Sequence, residues 1–108
     1  MSDRYSEQYR LAAEEWVDLD AAARLYEETK SIELERRKSQ LIRSAGDMPD
    51  NRCERIVKSS DGWLEWIMKM VEAKTAANKA KVRLKVLEMR YFEDAALNAT
   101  ARAEMRMQ

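Results

Sequence analysis

Apolar and aromatic positions in the first part of the chain recur at alternating steps of four and three: Tyr5, Tyr9, Ala12, Trp16, Leu19, Ala23 and Tyr26. That spacing follows one stripe of a helix with 3.6 residues per turn, and a strand cannot keep it. Beyond Tyr26 the stripe is expected to shift to Leu25, Ile32, Leu34, Leu41 and Ile42. Arg36, Arg37, Lys38 and Arg43 load the end of this arm with positive charge, which suits a helix C-terminus, and Gly46 suits the residue just beyond it. A first helix is therefore predicted over about residues 5–45. Asp18 and Asp20 offer capping side chains for an alternative in which the arm breaks or bends between Val17 and Asp20.

Gly46, Pro49 and Gly62 are the only punctuating residues, and all lie mid-chain. The stretch 46–60 reads as a connector holding a short helix, with Pro49 in its first turn and Cys53, Ile56 and Val57 on it. Ser59, Ser60 and Asp61 are candidate N-caps for a second long arm. Along that arm Trp63, Trp66, Met70, Ala73, Ala77, Ala80, Leu84, Leu87 and Tyr91 step by three and four without exception, and the residues between are good helix formers. One long helix is predicted over about residues 61–107. The segment KAKVRLK (79–85) alternates with period two, as a half-buried strand would. It does so over seven residues only, inside a three-four pattern that spans twenty-nine, so the helical period is taken to win.

Two long arms joined by a short connector should fold back as an antiparallel all-α hairpin, a single helical domain over 1–108. Tyr9, Trp16, Tyr26, Trp63, Trp66, Met70, Leu84, Leu87 and Tyr91 are its candidate packing or dimer seam. Each arm carries more apolar surface than one seam can bury, and Val71, Val82, Val86, Met89, Phe92, Ala96, Ala99, Ala103 and Met107 are left over. Either the connector and tail fold over the hairpin, or two hairpins associate into a bundle. A symmetric homodimer is the usual solution for such a chain.

Composition narrows the chemistry. Histidine is absent, which removes the commonest general base and metal ligand. Cys53 is the only cysteine, so an internal disulfide and a cysteine-based zinc site are excluded and a reducing compartment is expected. Glu14, Glu15 and Asp18, and Glu93 with Asp94, place carboxylates near one another, but no Glu-x-x-His completes a di-metal site and no phosphate loop or nucleophile motif is present. The chain is expected to be non-enzymatic, with no cofactor and no metal. The start MSDRYSEQYR lacks the apolar core of a signal peptide and no run of apolar residues exceeds three, so a cytoplasmic protein without membrane contact is expected.

Twenty basic residues balance twenty acidic ones, so any electrostatic role must be local. The row Ile67, Val71, Lys74, Asn78, Lys81, Lys85, Met89, Phe92 and Ala96 lies along one side of the second arm and turns basic in its middle. With Lys79, Arg83 and Arg90 on a neighbouring face, residues 74–90 hold six bases against Glu88 alone. Such a window is a candidate phosphate-binding surface. The preferred account is internal pairing, because residues 1–35 carry ten acids against four bases and would face this arm in a hairpin. Trp16, Trp63 and Trp66 at helical spacing are read as buried, Tyr5 and Tyr9 as better placed for an exposed role, and Met68, Met70, Met89, Met105 and Met107 as gap-fillers, with an adaptable binding surface as the alternative for the AEMRM tail (103–107).

The "GDMP" turn, the "VEAKTAANKAKV" helix and the "ARAEMR" ending, within about the C-terminal three-fifths of the chain, resemble small helical proteins of tailed phages and prophages encoded near recombination and anti-defence functions. The resemblance implies a phage protein acting in the host cytoplasm. It implies one of two jobs: inhibiting a host defence complex by steric occupation, as an anti-CRISPR protein does, or assisting recombination by binding single-stranded DNA. It assigns no residue a role.

Overall fold

A computed structural model, which describes residues 2–107, consists of three helices: α1 (Ser2–Ala45), α2 (Asp50–Lys58) and α3 (Asp61–Met107). The side chain of Asp3, one of the acids counted on the first arm, lies outside the described residues. α1 and α3 run antiparallel in a rod of 86 × 19 × 17 Å, and no helix is long and apolar enough to cross a membrane. The expected hairpin with a short connecting helix is the observed fold. α1 is continuous through Val17–Asp20, and α3 runs through Asp94 and through KAKVRLK without interruption. A two-residue alternation seven residues long carries no weight when the chain on both sides is committed to a helix.

The punctuation works largely as its chemistry suggests. Gly46 takes φ +92°, and its N–H closes the end of α1 by donating to the Ile42 carbonyl at 2.9 Å. Pro49 is the capping residue of α2, one position before its first turn, where its missing N–H is no loss. Ser60 is the cap that α3 uses: its Oγ accepts from the Trp63 N–H at 3.2 Å.

The register of the hairpin is legible in side-chain pairs whose first member climbs α1 as the second descends α3. Tyr5 meets Asp94, Tyr9 meets Glu88, Glu15 meets Arg83 and Glu27 meets Lys74; outside that run, the ring of Tyr26 reaches further toward the start of α3, to Trp66. The buried apolar residues among those described are Ala23, Cys53, Val57, Trp63, Met70, Ala77 and Ala80. Most of them sit toward α2, where three helices converge, because two helices alone can bury only one narrow stripe each. Farther along α3, in the two-helix part of the rod, the small side chains of Ala77 and Ala80 permit close approach of the two long backbones.

Two expectations about α1 and the methionines fail. Leu25 and Ile32 do not join the seam and are about two-thirds exposed. Because α1 does not break, the seam keeps its period and passes from Tyr26 through Thr29, Glu33, Leu34, Arg37, Lys38 and Leu41, polar residues included. Lys38 is buried and answers Asp50 at 2.6 Å and Glu35 at 3.3 Å, while its carbonyl accepts from the fully buried Cys53 Sγ at 3.6 Å. Of the methionines read as gap-fillers, Met70 alone is buried, and Met68 and Met89 are exposed; Met105 and Met107 are exposed as well, which the alternative of a binding tail allows. Nor does the tail fold back: from Ala95 to Met107 every residue of α3 is exposed.

Candidate interaction surfaces of α3

The basic segment is divided by the hairpin. Lys74 reaches Glu27 and Arg83 reaches Glu15, the latter at 2.8 Å, so part of the window is paired with the acidic arm. Lys79, Lys81, Lys85 and Arg90 make no ion pair among the described residues, and they are exposed together with Asn78. Internal pairing therefore accounts for two of the six charges and leaves four facing solvent. The Glu15–Arg83 pair is itself about half exposed and adds little stability, since water and salt screen it.

The open end of the hairpin holds a cleft of about 470 Å³ between Tyr5, Ser6 and Tyr9 on α1 and Leu87, Glu88, Tyr91 and Phe92 on α3. No third helix covers this end, so aromatic side chains that would be core in a bundle stay accessible. Phe92 is 67% exposed, and Tyr9 and Tyr91 nearly half. The walls are held in place by two hydrogen bonds across the hairpin. The Tyr5 hydroxyl donates to Asp94 Oδ2 at 2.7 Å, and the Tyr9 hydroxyl donates to Glu88 Oε1 at 2.9 Å. Tyr5 also packs edge-on against Tyr91 with ring centroids 6.1 Å apart, and Tyr91 against Phe92 at 5.8 Å. Each hydrogen bond to a carboxylate holds its phenol in the neutral, donating form and raises its pKa above the usual tyrosine value.

Of the candidate seam residues, Trp63 and Met70 are buried, and Trp16, Tyr26, Trp66, Leu84 and Leu87 are half-buried between the helices. Tyr9 and Tyr91 belong to the cleft instead. Tyr9 is exposed there, in keeping with the exposed role suggested for it, whereas Tyr5 is half-buried. Sequence reading missed their partners, although a signal was present. Glu88 and Asp94 stand three residues before and after Tyr91, on the seam side of α3, where an antiparallel arm would present donors to them.

A second surface lies on the side of α3 turned away from α1. Leu64, Met68, Val71, Val82, Val86 and Met89 expose between 39% and 61% of their area along it. Val71, Val82, Val86 and Met89 are among the residues left over from the seam in the sequence, since a helix that buries one stripe can carry a second at the same period nearly half a turn away. Among the described residues no three acidic or cysteine side chains converge in a way that would hold a metal ion, so Glu14, Glu15 and Asp18 remain dispersed along one helix.

No protein-family model, curated protein or solved structure matches this chain significantly, so its own geometry carries the functional reading.

Proposed function

We propose that this chain is a non-enzymatic interaction protein that binds a protein partner through the aromatic cleft at the open end of the hairpin. The observation that carries the reading is the cleft itself: tyrosines and a phenylalanine left accessible, with Tyr5 and Tyr9 tied across the hairpin to Asp94 and Glu88. Aromatic side chains with little freedom to lose are the groups that dominate protein interfaces. A rod 86 Å long with a sticky end is also suited to obstructing a surface on a larger assembly. Together with the phage-like stretches of sequence, this favours a host defence complex as the partner, inhibited by steric occupation.

The test is an interference assay in cells carrying a defence system, with the chain supplied in trans. Wild type should restore survival of the invading DNA, and Tyr91→Ala with Phe92→Ala should abolish that protection while the helical content is unchanged. Protection that survives loss of both aromatic side chains removes the cleft from the reading.

Single-stranded DNA is the second reading, favoured by Lys79, Lys81, Lys85 and Arg90, the four cations of the window without an ion pair among the described residues. Affinity for an oligonucleotide that falls steeply with salt, and collapses in Lys81→Glu with Lys85→Glu, would put it first. An oligonucleotide that does not bind at low salt removes it.

A further inference from the structure

We propose that the outer face of α3 is the interface for a second copy of this chain, packed antiparallel across a two-fold axis that passes near residues 76 and 77. A two-fold interface must be complementary to itself, so each residue along it has to meet one reflected through the axis. The exposed stripe has that property. Reflection about Ala76 and Ala77 brings Leu64 opposite Met89, Val71 opposite Val82, and Met68 opposite Val86 and the stem of Lys85. In the middle, Thr75 comes opposite Asn78, twice by symmetry. A polar layer inside an otherwise apolar seam favours the register that pairs it with itself, because any slip leaves its hydrogen-bonding groups against hydrocarbon.

Charge along one flank of the stripe selects the same orientation. Glu65 and Glu72 border its first half, and Lys79, Arg83 and Arg90 border its second half. Antiparallel packing sets acid against base, Glu72 of one copy beside Lys79 of the other, whereas parallel packing would set like against like. On the opposite flank Lys74 approaches Lys81 of the other copy, and the charge of Lys74 is offset by Glu27 of its own hairpin. The cleft at the open end lies past Met89 and around the helix, so this interface and the cleft's role in partner binding stand or fall separately.

The mass of the full chain is measured by sedimentation equilibrium from micromolar concentration upward, with helical content followed in parallel. Wild type is expected to be a dimer. Val71→Glu with Val82→Glu lies on a solvent-facing stripe and leaves the hairpin seam intact. It should keep the helical content and raise the dimer Kd by at least ~100-fold, the order expected when four buried valines per dimer are lost. Glu72→Lys alone and Lys79→Glu alone should each weaken the dimer, and the two together should restore it. Residues 72 and 79 are two turns apart on one helix, so restoration reports contact between copies.

A chain that stays monomeric throughout overturns the proposal and assigns the stripe to a different partner. A dimer indifferent to Val71→Glu and Val82→Glu overturns the face. A dimer disrupted by those changes but not restored by the double charge exchange overturns the antiparallel register.

Discussion

The rings of Tyr26 and Trp66 meet edge to face across the hairpin, centroids 5.5 Å apart and planes inclined by 70°, and Trp66 stacks in turn on Trp63 at 5.4 Å. This chain of three aromatic rings ties α1 to the first two turns of α3, next to the only place where three helices converge. Edge-to-face pairs are worth about 0.5–1.5 kcal/mol beyond the area they bury. Trp66→Ala should cost about 2–4 kcal/mol, somewhat less than a fully buried tryptophan because its ring is half-exposed. A denaturant double-mutant cycle with Tyr26→Ala should return a coupling of about 1 kcal/mol. Strict additivity of the two changes would show that the ring contact contributes nothing of its own.

The two glycines should respond in opposite ways to the same substitution. Gly46 sits at φ +92°, a conformation that costs any residue with a Cβ about 1–2 kcal/mol, so Gly46→Ala should lower stability by that amount. Gly62 lies inside the first turn of α3 with ordinary helical backbone. A Cβ there would come 2.8 Å from Arg37 Nη1, the far end of a flexible side chain that can swing aside. Gly62→Ala should be neutral or gain up to about 1 kcal/mol from helix propensity. Equal thermal shifts for the two variants would contradict this account.

Ala80 is 1% exposed in the seam between the two long helices. Ala80→Leu forces added volume into that contact, and such overpacking costs about 1–3 kcal/mol. Lys81→Leu, one position along and exposed, should change stability by no more than about 0.5 kcal/mol. Chemical denaturation of the two variants separates a tight seam from a loose one.

Acid should weaken the fold partly through Glu33, which is mostly buried along the seam and accepts from Arg36 at 2.7 Å and Arg37 at 2.8 Å. The hydrogen bond from Arg36 is the main cause that holds its carboxyl below the usual value of 4.5, with Arg37 adding to it against the opposing effect of burial. A depressed folded-state pKa means the stabilisation is fully present above 4.5 and is lost as pH falls through the lower, folded value. Glu33→Gln should therefore melt lower than wild type near neutral pH, and the gap should narrow toward about pH 3. A gap independent of pH would mean that shape rather than charge makes Glu33 useful.

The helices and their ends were legible in the sequence because their signals are local. The four-three stripes, Gly46 and Ser60 each act within a turn or two of where they stand. Where the stripe on α1 turns polar, the sequence misled. Leu25 and Ile32 look like core by composition, but an unbroken helix carries their direction outward and brings Glu33, Arg37 and Lys38 inward instead. Lys38 is buried because Asp50 and Glu35 are there to receive it, and the Asp50 contact exists only once the chain has turned back. The basic window was legible as composition, but its division into paired Lys74 and Arg83 and solvent-facing Lys79, Lys81, Lys85 and Arg90 depends on which acids α1 brings into reach. The cleft could not be read at all without the register that places Tyr5 and Tyr9 beside Tyr91.

Because Cys53, Val57, Trp63 and Met70 gather toward α2, Ala23, Ala77 and Ala80 lie midway, and no deeply buried side chain lies at the cleft end, the rod has a gradient of local stability along its axis. Opening the hairpin from the cleft end exposes little that water did not already reach, whereas opening it from the α2 end would expose Trp63, Cys53 and Val57 at once. The molecule is therefore built like a zipper with one anchored end. A partner that grips the cleft engages the part whose local unfolding is least costly, and it can order or splay the first turns of α1 and the second half of α3 without disturbing the anchor.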